Sequence, residues 1–237
     1  MKRGEGLADS DPERRGRTHD ATEARRAILE AAEEVFAQHG FDGVRIDTIA
    51  AAAGHDESLI LQYFGDKLNL YTEVFKRSER QEAELQAQVL GFLLEDETIL
   101  TDARKFRRLL ETATRILFDY LEKHPRLLRL LAWEQAAGWQ TWTKIAGQMN
   151  TGDLVQSINA LCSTAQSAGL LRPGVDPLLL ILMAEQMYMS YLTSLPLFET
   201  VLPATQVSSP ETRARVQKYI TEFVVHGMLI DSTQAKL

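Results

Sequence analysis

The sequence predicts an all-α protein, with a three-helix head at the N-terminus and a larger helical body after it. Three observations predict this. Apolar residues recur at helical spacing through most of the 237 residues, and no stretch shows the alternation of a half-buried strand. Glycine and proline repeatedly fall between these periodic segments, where they end one helix and open the next. Two short apolar segments flank Gly54, close behind a longer amphipathic one. Hydrophobic residues make up 45% of the chain and charged residues 25%, enough apolar matter for a sizeable core.

Residues 1–20 are polar, lack an apolar period and are read as a disordered arm. The first helix carries Ile28, Ala32, Val35 and Phe36 on one face and Glu30, Glu33, Glu34 and Gln38 on the other, and Gly40 ends it. Asp47 to Ala53 and Ser58 to Tyr63 form the short pair around Gly54, which can take the positive φ of a tight turn. Ala50 is small where the helices approach, and Ile49, Ile60 and Phe64 can bury against the first helix. This is the layout of a helix-turn-helix, whose second short helix enters the major groove. Asp56 is read as a cap for that helix and Asp66 as the cap of a long helix from Lys67 to about Leu94.

The body reads as a succession of helices. Ala103 to Lys123 is amphipathic, and His124-Pro125 resets the chain before a helix over Arg126 to Ala137. Gly138 breaks it. Trp139 to Gln148 and Gly152 to Ala168 follow as one broken helix or two, and Arg172-Pro173-Gly174 is a turn. Asp176 caps an apolar helix over Pro177 to Leu195. Residues 196–209 are read as a loop, and Pro210 opens a last helix to about Leu229.

Several function classes find no support. The run Leu178 to Phe198 is long enough to raise a membrane span, but Glu185 and Gln186 at its centre and Pro196 near its end favour a buried helix, so a cytoplasmic protein without a membrane partner is expected. A lone cysteine, Cys162, cannot form an intramolecular disulfide. The five histidines are scattered without metal-ligand spacing, and no phosphate loop or nucleophile motif is present. No metal or cofactor is expected, and a helical enzyme is the weakest reading.

Ile28 to Phe41, Ile46 to Gly54, and Tyr63-Phe64-Gly65-Asp66-Lys67 with Leu70 resemble the TetR family of transcriptional regulators in its first helix, second helix with turn, and closing pattern. The resemblance covers about a quarter of the chain closely. It implies a DNA-binding head over residues 21–67 and a helical ligand-binding and dimerisation domain over 68–237. Such a protein, as a repressor, binds a pseudo-palindromic operator in double-stranded DNA as a homodimer and is released by a small-molecule effector. Carried over position by position, Leu61 and Gln62 face bases, Tyr63 and Lys67 hold phosphate, and Arg45 stands where a hydroxyl residue often touches phosphate.

The reading surface departs from the family pattern. His55, Asp56, Glu57 and Ser58 stand where basic and small residues are usual, and Leu61 and Gln62 replace two aromatics. The net charge of −7 and the excess of acids between Ala27 and Arg80 leave Arg45, Lys67 and the arm arginines Arg14, Arg15 and Arg17 to meet phosphate. Weak non-specific affinity is therefore expected. A family-like protein that has lost DNA binding and serves as a ligand-binding or interaction module is the alternative. In the body, Trp133, Trp139, Trp142, Met183, Met187 and Tyr188 are candidate effector-pocket residues, with plain core packing as their bland alternative. The last two helices are the expected dimer interface, the final one through Val216, Ile220, Phe223, Val224, Gly227 and Met228.

Overall fold

The first helix of the computed structural model, α1 (Pro12–His39), begins nine residues ahead of Ala21. The expected arm is thus helical from Pro12. The period of apolar residues could not find these roughly two and a half turns, because Glu13, Arg14, Arg15 and Arg17 form helix well without supplying an apolar face. The structure describes residues 12–78, 91, 96–149 and 151–230, with the side chains of 12–19, 97, 151, 153 and 154 left aside. The stretch of the long helix that carries Leu85 and ends near Leu94 lies outside the described residues, as do the arm's arginine side chains.

Two compact units divide between Val74 and Phe75, seven residues beyond the boundary expected at Lys67. The reason lies in α4 (residues 67–78), whose Leu70, Tyr71 and Val74 are buried and carry the head's core onward. In the head, α1 packs on α2 (Ile46–Ala53), and α2 on α3 (Glu57–Phe64). Ile28, Ala32, Phe36, Ile49 and Ile60 are buried completely or nearly so. Tyr71 meets Phe36 and Phe41 edge-on, at 4.9 and 5.0 Å between ring centroids. Aromatic pairs of this geometry add about 1 kcal/mol each to the burial of their area.

The body contains a 3-10 turn at Glu97–Leu100, α5 (Ala103–Lys123), α6 (Pro125–Ala136), α7 (Gln140–Ile145), α8 (Thr151–Ser167), α9 (Pro177–Thr193), α10 (Leu195–Val201) and α11 (Pro210–Met228). Among the described residues there is no strand, only an isolated bridge between Leu171 and Leu229. The all-α expectation holds. The expected loop over 196–209 is corrected, because it contains α10 and a 3-10 turn at Pro203–Thr205. Pro196 sits in the first turn of α10, where its missing N–H is not needed, so it starts a helix instead of preventing one.

The core of the body is a three-way packing of α5, α9 and α11. Phe118 meets Tyr188 at 4.8 Å, and the Tyr188 hydroxyl joins Thr221 Oγ1 at 3.2 Å, which in turn lies 3.1 Å from Thr114 Oγ1. This chain of hydroxyls satisfies polar groups that burial would otherwise leave costly. Gly227 allows the close approach of α11 to α9, since a Cβ there would lie 3.2 Å from Leu180 Cδ1. Ile220, Val224 and Met228 are buried within the chain itself; of the expected α11 stripe Phe223 is exposed, with Tyr219 exposed beside it. No single helix among the described residues is long and apolar enough to cross a membrane; α9 and α10 together have the composition but are bent by 62°.

Candidate nucleic-acid interface

The turn between α2 and α3 is set by Gly54, which takes φ +68°. Its N–H reaches Ala51 O, and the N–H of His55 reaches Ala50 O at 3.1 Å, which satisfies the last carbonyls of α2 in the manner of a Schellman cap. A Cβ at Gly54 would meet nothing within 4 Å, so the backbone angle and not the space demands glycine. Asp56 takes the cap position of α3, yet its side chain makes no capping hydrogen bond, contrary to the expectation for it. Its charge still stands beside the positive end of the helix. Asp66 caps α4 as expected, accepting from Asn69 N at 2.7 Å.

α3 has two well-separated sides. Ile60 and Phe64 are buried, and Glu57, Ser58, Leu61 and Gln62 are exposed. At 3.6 residues per turn those four span an arc of roughly 140°. The arc holds a carboxylate, a hydroxyl, an isobutyl group and a carboxamide, with no cation. Leu61 is 41% exposed although it is the sort of side chain a fold normally covers. His55 and Tyr63 are half-buried at the margins, with the Tyr63 ring edge-on to Phe64 at 6.3 Å.

The cations of the head are engaged within it. Between Asp20 and Val74 there are four lysines and arginines against eleven acids. Arg25 pairs with Glu73 at 2.7 Å and lies over the Phe64 ring; Arg26 pairs with Glu30. Arg45 Nε donates to Asp47 Oδ2 at 3.0 Å, and this bond, with help from the Thr48 N–H, holds the Asp47 carboxyl below its ordinary pKa. The Arg45 side chain is 82% exposed, so its remaining N–H groups face outward. Lys67 Nζ donates to Phe41 O and to Val44 O, both at 2.9 Å, and stands 4.2 Å from the centre of the Phe41 ring. Two of its three protons thus tie α4 to the loop that enters α2. A lysine in a family motif invites a phosphate role, and its sequence position gives no sign of these carbonyls.

The six candidate pocket residues of the body occupy different surroundings. Tyr188 is fully buried in the hydroxyl chain, whereas Met183 and Met187 are exposed on α9 with Leu179 and Leu182. Trp142 meets Phe75 edge-on at 5.1 Å and Trp139 at 6.4 Å, and Trp133 is exposed. Two of the three tryptophans are held through their backbones by Glu134, a 2% exposed residue of α6. Its backbone carbonyl accepts from Trp139 N at 2.7 Å, and its carboxylate accepts from Trp142 N at 2.9 Å. Trp139 itself has φ +60°, directly after Gly138 at +69°. A left-handed tryptophan costs about 1–2 kcal/mol, which these bonds offset. Among the described residues no group of three or more metal-ligating side chains comes together.

Comparison with known proteins agrees with this arrangement. Residues 28–74 match the family model described as bacterial regulatory proteins, tetR family, and residues 107–224 match that of the tetracyclin repressor-like C-terminal domain. The chain is 31% identical over 212 residues to the HTH-type transcriptional regulator RutR of Escherichia coli, across 87% of this chain and 92% of RutR. It is 36% identical over 128 residues to the HTH-type transcriptional repressor SCO4008 of Streptomyces coelicolor, a match spanning 53% of that repressor. The structure of the fatty acid degradation regulator FadR from Bacillus halodurans shares the fold, with a TM-score of 0.60 at 16% identity over 86% of this chain and 95% of that one.

Proposed function

Because this chain belongs to the TetR family of helix-turn-helix transcriptional regulators, we propose that it acts as a repressor that binds a pseudo-palindromic operator as a homodimer and leaves it when a small molecule occupies the body. The observation that carries the DNA contact is the open face of α3, four exposed side chains on a helix whose other side is locked into the head's core. Leu61, Gln62, Glu57 and Ser58 meet base edges. Arg45 and Tyr63 meet phosphate, and His55 lies at the margin of the contact. Lys67 acts by fixing the loop before α2.

The partner is a second copy of the chain. Leu179, Leu182, Met183 and Met187 on α9, with Tyr219 and Phe223 on α11, leave a broad apolar surface open to solvent, and self-association through it would present two reading heads. The effector is favoured near Trp133, Trp139 and Trp142, where half-exposed aromatic area adjoins the buried Glu134 carboxylate. Binding there would shift the population of bodies toward a head spacing that no longer fits two half-sites. Such a regulator works in the cytoplasm, beside the chromosome.

A second reading, loss of DNA binding with retention of the ligand-sensing body, draws on the eleven acids and four cations of the head. Selection from a random-sequence duplex library with the purified full-length protein separates the two. Enrichment of a pseudo-palindrome supports the repressor, and failure to enrich any sequence supports the second reading.

A further inference from the structure

We infer that α3 reads its half-site as a thymine methyl through Leu61, beside a base pair that offers an amino group to Glu57, and that it does so without the guanine contact of an arginine or lysine. This rests on the proposal that the chain binds DNA. The exposed arc of α3 carries a carboxylate, one apolar side chain and the neutral polar groups of Ser58 and Gln62, but no arginine or lysine. In the major groove, guanine presents two acceptors, N7 and O6, which need a donor such as Arg or Lys; a carboxylate is repelled there. Cytosine N4 and adenine N6 are the donors that a carboxylate can use. The thymine C5 methyl is the apolar group on the groove floor, and Leu61 is the apolar group on the helix face.

The spacing makes the inference more specific. Glu57 and Leu61 are one helical turn apart, with Cβ atoms ~6 Å from each other, and stacked bases rise ~3.4 Å per step. The amino-bearing pair and the thymine therefore lie one or two steps apart. Gln62 sits one turn after Ser58 on the adjoining ridge. It can bond adenine N6 and N7 together, so this ridge also reads A·T pairs. The short supply of free cations in the head reinforces the dependence on these base contacts. Of the four, only Arg45 and Arg26 have largely exposed side chains, and each already pairs with a neighbouring carboxylate.

The test uses the full-length protein and the duplex that selection enriches. Each thymine of the half-site is replaced in turn by deoxyuridine, which removes only the methyl group, and each guanine by 7-deazaguanine, which removes N7. One thymine replacement is expected to weaken binding about fourfold per half-site, the effect of leaving one methyl group unburied. Leu61→Ala is expected to bind more weakly and to become indifferent to that same replacement. Leu61 is exposed, so its truncation leaves the fold intact. Glu57→Gln is expected to narrow the discrimination at the pair one or two steps away. The inference is overturned if every deoxyuridine duplex binds as the parent does, if Leu61→Ala keeps the full deoxyuridine effect, or if a 7-deazaguanine position is the sensitive one within the α3 footprint. Each of these can occur while the operator is still bound, so they leave the DNA-binding reading standing. Failure to enrich any duplex removes that reading and this inference together.

Discussion

Replacing Lys67 with methionine distinguishes a lysine that holds phosphate from one that holds its own loop. The structure gives its ammonium group two carbonyl acceptors at 2.9 Å, Phe41 O and Val44 O, and an aromatic face at 4.2 Å. Hydrogen bonds from a charged donor contribute about 1.5–3 kcal/mol each when buried, and less at this half-buried site; an exposed cation–π contact adds about 0.5–1 kcal/mol. Together they place the cost of Lys67→Met at about 2–3 kcal/mol. Methionine keeps much of the apolar stem over Phe41, so the loss comes chiefly from the head group. For a unit the size of the head, such a loss lowers the melting temperature by about 10 °C or more. Thermal unfolding followed by far-ultraviolet circular dichroism reads this directly. A salt titration of operator binding gives the second measurement, because each phosphate contact contributes about 0.9 to the slope of log affinity against log salt. With Lys67 as a brace, the slope of the variant stays at the parent value while its head melts early. An unchanged melting curve with a slope shallower by about one per half-site would refute the reasoning and return Lys67 to the phosphate backbone.

Three further outcomes are expected. The parent protein should show a salt slope of about −4 or shallower for the dimer, since Arg45 and Arg26 are the largely exposed cations among the described head side chains; a slope near −10, as many phosphate contacts produce, would contradict this. Met183→Glu places a charge in the open apolar face of α9 and should give a monomer by sedimentation at micromolar concentration, whereas persistence of the dimer would move the seam elsewhere. Glu185→Gln should stabilise the body near neutral pH, because burial pushes the Glu185 carboxyl above its ordinary value of 4.5. A carboxyl whose folded pKa is raised destabilises increasingly as pH climbs above the unfolded value, fully once above the folded one, so the gain of the glutamine variant should vanish toward about pH 4 in urea titrations.

The parts of the fold with a periodic signature were legible in the sequence. Gly54, with its turn, and the helices that flank it follow from spacing and from the one residue type that accepts the angle. Asp176 and Asp66 cap the helices they precede because a carboxylate three residues before a free N–H is a local matter. What was not legible depends on tertiary partners or on segments without an apolar face. The first turns of α1 have no apolar face in the sequence, and α10 leaves Leu197 and Val201 exposed, so neither shows a helical stripe. Tyr71 closes the head's core from beyond the motif, and only its aromatic character one turn after Lys67 hints at this. Glu57, Ser58, Leu61 and Gln62, which α3 leaves exposed, all stand among the residues the sequence motif singles out. The engagement of Lys67 was not legible, because the carbonyls that hold it lie 23 and 26 residues away.

The clustering of all three tryptophans between positions 133 and 142 also determines how this protein can be watched. The head has tyrosines but no indole, so light absorbed at the red edge of the aromatic band excites the α6–α7 corner and nothing in the helix-turn-helix. Intrinsic emission is therefore a built-in gauge of the body alone. A head loosened by Lys67→Met would melt unseen by it while the dichroism signal fell. Non-coincidence of the two curves would itself measure how far the head unfolds independently of the body.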